Sequence, residues 1–395
     1  MVPNEWNITT LGEHVSISSG YSPSKYNLDV KGPYPFVKVE DMNNCVKYQQ
    51  FSRNYTELNG SPISKGAVIF PKRGAAIMNN KVRITATQMY LDTNMMSLMP
   101  QESLSSEFLY YTLVKEELHR IADTSTIPQI NNKHILPYRF KLPPLPEQRK
   151  IAKILSTWDK AISATERLID NSKQQKKALM QQLLTGKKRF AGFTKDWKQI
   201  HLGGIGKCIT GLTYKPSDTV DDGMLVLRSS NIQDSKLAFE DNVFVNANLK
   251  VKSKTQENDI LVCVRNGSKN LIGKSSLIKG RAIGQAHGAF MTLFRGKYPL
   301  YVSQLFQSNE FFRQVNMNLG ATINSINTSD LHKFKFSIPT DENEINAIAA
   351  CLSNAEKEIE VLQQQLADLK QEKKALMQQL LTGKRRVKVD DEALA

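Results

Sequence analysis

The sequence predicts an α+β protein built as a tandem repeat, each half a globular domain followed by one long helix, with the two helices pairing as an antiparallel coiled coil. Three observations lead there. The segment KKALMQQLLTGK stands at Lys176–Lys187 and again at Lys373–Lys384. Upstream of each copy, apolar residues recur in an alternating four-and-three spacing. Further upstream, both halves change to short apolar runs such as PFVKV, GAVIFP, MLVLR and DILVCV, broken by Gly, Asn, Ser and Asp. That is the texture of short strands joined by turns.

The halves align outward from the shared segment. Trp6, Leu11-Gly12 and Gly20 match Trp197, Leu202-Gly203 and Gly211, and the stretch from Ile127 to Leu155 is echoed from Ile323 to Leu352. The offset of about 191 to 197 residues is far too long for a solenoid repeat. Residues 1–144 form the first domain, ending in the helical stretch SSEFLYYTLVKEELHRIA. Residues 145–189 follow as the central helix, its seam running through Ile151, Leu155, Trp158, Ile162, Ile169, Leu179 and Leu183. Pro146 suits the first turn, Glu147 complements the helix dipole, and Gly186 is placed to stop the helix. Residues 190–340 repeat the domain and end in LYVSQLFQSNEFFRQV; residues 341–387 repeat the helix, with a seam from Ile348 through Leu352, Ile359, Leu366 and Leu376 to Leu380, and Gly383 as its stop. Residues 388–395 are a tail. Each helix is expected to have about 37 residues and to span roughly 55 Å at about 1.5 Å per residue. A helix with one apolar stripe has to bury it, and its own repeat is the nearest partner. Ser172 and Lys176 interrupt the seam and leave surface for another protein to cover.

With 395 residues, 40% apolar and 23% charged, the chain is of globular composition. It has neither a run of apolar residues long enough to span a membrane nor the basic-then-apolar layout of a signal peptide in MVPNEWNITT, so a cytoplasmic protein with no membrane partner is expected. Cys45, Cys208, Cys263 and Cys351 lie far apart, which supports neither a disulfide framework nor a zinc site. The net charge is +15: residues 1–145 carry +3, 146–200 carry +8, 201–340 carry +7 and 341–395 carry −3. A basic middle favours a polyanionic partner, because each phosphate neutralised by Lys or Arg releases counterions.

Catalytic signatures fail on inspection. HLGGIGKCITG at His201 has Ile209 where a dinucleotide loop needs its third glycine, and SKNLIGKSS has Ser268 where a phosphate-binding loop needs glycine. The six histidines have no metal-ligand spacing, and no serine sits in a nucleophile elbow. Nor is there an NPPF-type or DPPY-type tetrapeptide of an amino-methyltransferase. No cofactor or metal is expected on this chain, and a binding protein is favoured over an enzyme acting alone.

Two variable halves, Leu145-Pro146-Glu147-Gln148 with Ile151-Ala152, the repeated QQLLTGK and the FAGFTKDW entry at Phe190–Trp197 together resemble the specificity subunit of type I restriction-modification enzymes. The second helix starts less typically, with IPTDENEINAIA. The resemblance implies two target-recognition domains in pseudo-twofold arrangement, inverted and held apart by antiparallel spacer helices, on double-stranded DNA with a two-part asymmetric target. It also implies two modification subunits that carry S-adenosylmethionine and methylate adenine, and restriction subunits that use ATP and Mg. This chain would read DNA and assemble the others.

Candidate DNA contacts come from the loops. PKRGAAIMNNKVR offers Lys72, Arg73, Asn79, Asn80, Lys81 and Arg83; VRNGSKN offers Arg265, Asn266, Ser268, Lys269 and Asn270 at a comparable place. Arg228, Ser229, Ser230 and Asn231 follow the strand MLVL. Arg matches the paired acceptors of guanine, and Asn matches the donor–acceptor pair of adenine. Tyr21 with Lys25 and Tyr214 with Lys215 are candidates for phosphate. Two other readings stand beside this one: a non-catalytic basic coiled-coil scaffold that binds protein or RNA without DNA sequence specificity, and an autonomous methyltransferase, which the missing cofactor motifs disfavour.

Overall fold

The computed structural model describes residues 3–124, 127–319 and 324–389; Ile323 and residues 390–395 of the tail lie outside the described residues. The chain divides into two units, Met1–Glu166 with Gln364–Ala395, and Arg167–Gln363. Each unit therefore holds one sheet domain and a stretch of each long helix.

In the first unit a five-stranded sheet runs Val15–Ser19, Met95–Pro100, Val68–Pro71, Arg83–Thr85, Tyr48–Gln49. A three-stranded sheet runs Asn54–Thr56, Tyr34–Val37, Tyr90–Leu91. The second unit repeats the scheme with Gly206–Thr210, Met291–Gly296, Ile260–Cys263, Ser275–Leu277 in one sheet and Thr219–Val220, Phe244–Val245, Met224–Leu227, Ala286–His287 in the other. The apolar runs read as strands are the central ones. Val68, Ile69 and Phe70 are buried on both faces, as are Ile260 to Cys263, which is why those stretches lack alternation. Both helical stretches expected at the domain ends are split in two. Ser106–Glu116 stops where Glu117 takes φ 62, and Leu118–Ile121 continues; Pro299–Leu305 is followed by Asn309–Asn318, capped by Ser308.

The long helices span Leu145–Leu183 and Glu342–Leu380, 39 residues each. Both end at a glycine in the left-handed region, Gly186 at φ 69 and Gly383 at φ 70. They pack together as an antiparallel pair, shown within the first unit by Asp159 meeting Lys373 and Glu166 meeting Lys370, and within the second by Glu356 meeting Lys176. The seam is not closed by the helix pair alone. Ile151, Leu155, Met377, Leu380 and Leu381 join the core of the first domain, and Leu183, Leu184, Ile345, Ile348 and Leu352 join that of the second.

Two matched sets of ion pairs fix the helices, each member 197 residues from its counterpart. Glu147 is buried and accepts from Trp6 Nε1 at 3.0 Å and from Arg386 at 2.8 Å, while Glu344, 0% exposed, accepts from Arg189 twice at 2.7 Å. The neighbouring Gln148 is spent on backbone, accepting from Ser105 N at 2.8 Å and donating to Ser103 and Pro143 carbonyls at 2.9 Å. Lys373 and Lys176 are the second set. Lys176, which interrupts the heptad, is thus engaged by Glu356 and Gln307 rather than free to meet a partner. Of the duplicated segment's apolar residues, Leu183, Leu184, Met377, Leu380 and Leu381 are buried, while Leu179 and Met180 are only partly so. Among the described residues no helix is long and apolar enough to cross a membrane.

Candidate nucleic-acid interface

Within each unit, three loops leave the ends of neighbouring strands and meet. In the first, Asp92 N donates to Val37 O at 3.0 Å, Tyr21 N donates to Leu91 O at 2.9 Å and Lys72 N donates to Asn94 O at 2.8 Å. In the second, Gly288 N donates to Leu227 O at 2.9 Å, Leu212 N donates to His287 O at 2.7 Å and Val264 N donates to Phe290 O at 3.0 Å. The crossing at Gly20 and Gly211 tolerates no side chain: a Cβ there would lie 2.0 Å from the carbonyl oxygen of Asp92 or of Gly288. Arg73 and Arg265 occupy the same place on these platforms, bridging antiparallel to Gln129 and to Ser325 respectively. Both are exposed, and neither side chain pairs with a carboxylate among the described residues. Tyr21, 56% exposed, carries Lys25 Nζ 4.4 Å from its ring centroid.

Family comparison follows this architecture. The model of the type I restriction modification DNA specificity domain matches residues 3–172 and again residues 194–371. The chain belongs to this family. It is 25% identical to the putative type I restriction enzyme MjaX specificity subunit of Methanocaldococcus jannaschii over 98% of this chain and 95% of that one. To the MjaVIII specificity subunit of the same organism it is 24% identical, over 60% of this chain and 58% of that relative's length. Among solved structures, the crystal structure of the S subunit of a type I system from M. genitalium superposes with TM-score 0.61 at 15% identity, covering 96% of this chain and 98% of that one. A chain studied for complex assembly and conformational transition of the type I system gives TM-score 0.62 at 17% identity, covering 98% and 100%. These likenesses show the same fold.

Within this family's DNA-specificity domains, the candidate contacts sort into two groups. Exposed on or beside the loops are Tyr21, Lys25, Arg73, Asn79, Lys215, Arg265, Ser268, Lys269 and Asn270; Lys72, Lys81, Tyr214, Ser229 and Ser230 are half-buried. Burial holds the Lys72 amine below the usual lysine range.

The side chains of the other group are engaged within the protein. Arg83 donates to the carbonyls of Cys45, Val82 and Met42 at 2.7–2.9 Å. Asn80 donates to Val114 O at 2.8 Å and accepts from Leu118 N at 3.0 Å. Asn231 is fully buried, accepting from Arg228 N at 2.9 Å and donating to Ala238 O at 3.0 Å. Asn266 accepts from Ser268 N at 3.0 Å and donates to Ser229 Oγ at 3.1 Å, which fastens one loop to the next. Arg228 pairs with Asp241 at 2.9 Å. A side chain with both ends satisfied by its own fold has little left for a base edge.

Two residues at the platforms escaped the sequence reading. Lys38 leaves the strand Tyr34–Val37 as Arg228 leaves Met224–Leu227, each heading a short 3-10 turn. Aligning PFVKVED with MLVLRSSN would have found it. Phe290 stands 55% exposed at the tip of the turn Gly288–Met291, its ring centroid 5.8 Å from the Arg265 guanidinium carbon.

The cysteines and the buried histidine carry no sign of poised chemistry. All four cysteines are free, and burial pushes the Cys208 thiol up to about 12 and Cys263 up to about 11. His287 is held below the usual histidine range by burial, with Nε2 3.0 Å from Ile209 O.

Proposed function

We propose that this chain is the DNA-reading subunit of a type I restriction-modification complex, each unit addressing one half of a bipartite asymmetric target. One observation carries the reading: two units hold Arg73 and Arg265 at the same backbone position on matching platforms, while the side chains around them differ. A shared frame with different surfaces is what two unlike half-sites require. Arg73 and Arg265 are assigned to base edges, and Lys25, Lys38, Lys215 and Lys269 to phosphates.

The chain itself is proposed to be non-catalytic. Two modification subunits, which bring S-adenosylmethionine, and restriction subunits, which bring ATP and Mg, are its proposed partners. The groove in the second unit between Lys177–Thr185, the helix Asn309–Asn318 and the strand Lys335–Pro339, about 900 Å³ in volume, supports docking by one of them, with Met317 exposed at its rim. A scaffold without DNA specificity is less favoured, because the family match covers both halves.

The test is to express the chain with its modification partner and to map methylated adenines across the host genome. A bipartite motif should appear, and exchanging residues 190–340 for those of a relative should alter one half only. Native mass spectrometry should give one chain bound to two modification subunits. Methylation by the isolated chain, or binding no tighter to the motif than to random duplex, would overturn the reading.

A further inference from the structure

We infer that Phe290 and Arg265 act as one reading element, the ring packing against the 5-methyl of a thymine while the guanidinium takes O6 and N7 of the adjacent guanine. The inference rests on the DNA-reading function proposed above. Phe290 is not placed by folding demands. Met291 beside it is buried, whereas the large apolar ring of Phe290 is left exposed. The turn beneath it is tightly held. Phe290 O accepts from both Val264 N at 3.0 Å and Arg265 N at 3.1 Å, and Met291 N closes on Gly288 O at 2.9 Å. The backbone therefore fixes Phe290 and Arg265 side by side.

The matching turn of the first unit makes the contrast. Asp92–Met95 closes in the same way, with Met95 N on Asp92 O at 2.9 Å, but its tip is Asn94, folded back on Asp92 Oδ1 at 3.0 and 3.1 Å. The frame thus accepts a polar tip, and the phenyl ring is a feature of the second unit alone. An apolar surface beside an unpaired guanidinium matches the major-groove edge of a thymine next to a guanine. A methyl group stands there next to two acceptors, which an adenine neighbour, with one acceptor and one donor, does not offer. At 5.8 Å from the ring centroid the guanidinium is within reach of the ring's cation–π attraction, which keeps the two groups together.

The experiment uses the full chain with its modification subunits on duplexes carrying the mapped target. Each thymine of the half-site assigned to residues 190–340 is replaced in turn by deoxyuridine, which removes only the methyl. For the unaltered complex, one position beside a guanine should weaken binding about fourfold, the worth of one buried methyl. With Phe290→Ala or Phe290→Asn, thymine and deoxyuridine should bind equally at that position, while the other half-site and the one-to-two assembly stay unchanged. Insensitivity to every deoxyuridine, or equal sensitivity in the variants, would overturn the inference. So would a loss of DNA bending in the variants without loss of methyl discrimination, which would mark Phe290 as a wedge instead. If the unaltered complex shows no preference for its target over random duplex, the proposed function itself fails first.

Discussion

Asp159 and Glu356 stand 197 residues apart at matching turns of the two long helices, yet their surroundings differ. Asp159 meets Lys373 and the Tyr111 hydroxyl, with Lys47 in Coulombic reach; Lys47 is buried, 3.2 Å from Tyr111 Oη and 4.6 Å from that ring's centroid. Glu356 meets Lys176, and Gln307 hydrogen-bonds to both. The tryptophans differ in the same way: Trp6 donates to Glu147, whereas Trp197 Nε1 is buried without a partner. Duplication has kept the acid, the lysine and the arginine of each helix junction. The groups that support them have diverged, so equal positions do not imply equal energies.

The largest test of that comparison is Asp159→Ala against Glu356→Ala. The first leaves the partly buried Lys373 without its acid and the Tyr111 hydroxyl without its acceptor, while Lys47 keeps Glu107 at 3.3 Å, and should cost about 3–5 kcal/mol in denaturant unfolding. The second leaves Lys176 with its hydrogen bond to Gln307 and should cost about 1–3 kcal/mol. Equal losses would mean that the network around Lys47 adds nothing. Next in size are Arg73→Ala and Arg265→Ala, each expected to relax a single base pair of its own half-site by about 1–3 kcal/mol, measured as binding to single-substituted duplexes. Either variant relaxing both halves would break the one-unit, one-half-site scheme.

A third test uses pH. Leu91 and His287 hold matching positions, paired with Val37 and Leu227. Because the folded His287 has its pKa below the ordinary histidine value of 6.5, its contribution is complete above that value and is lost as pH falls toward the folded pKa. The loss is at most about 1.4 kcal/mol per pH unit. The second unit should therefore weaken first as pH falls below 6.5, and His287→Leu should flatten the profile seen in thermal melts at several pH values. The smallest expected effect is that of Lys25→Ala. It should weaken binding to all sequences alike and reduce the salt slope by about 1, read from titrations at several salt concentrations.

The long helices were legible because their signals are local. Spacing, Pro146, Glu147 and the two terminal glycines lie within the elements they define. The buried strands were legible as apolar runs. Far less of the interface could be read. A loop Arg or Asn announces what it can bond, but whether its partner is a base or a backbone carbonyl elsewhere in the chain depends on contacts such as Arg83 with Met42, 41 residues away. Lys176 misled for the same reason, since its acid lies 180 residues downstream. Phe290 was passed over because a single aromatic in a strand-rich region looks like core until its exposure is known.

The division of the long helices between units has a consequence for how the chain is made. The first unit's core includes Met377, Leu380 and Leu381 from the C-terminal helix, whereas the second unit is one continuous stretch from Arg167 to Gln363. At about 5–20 residues per second, roughly 10 to 40 s separate synthesis of the first domain from arrival of the residues that complete it. The half made first is finished last. A released fragment ending at Gln363 should hold a folded second unit and a first domain still lacking one wall, the state in which a chaperone would be of most use.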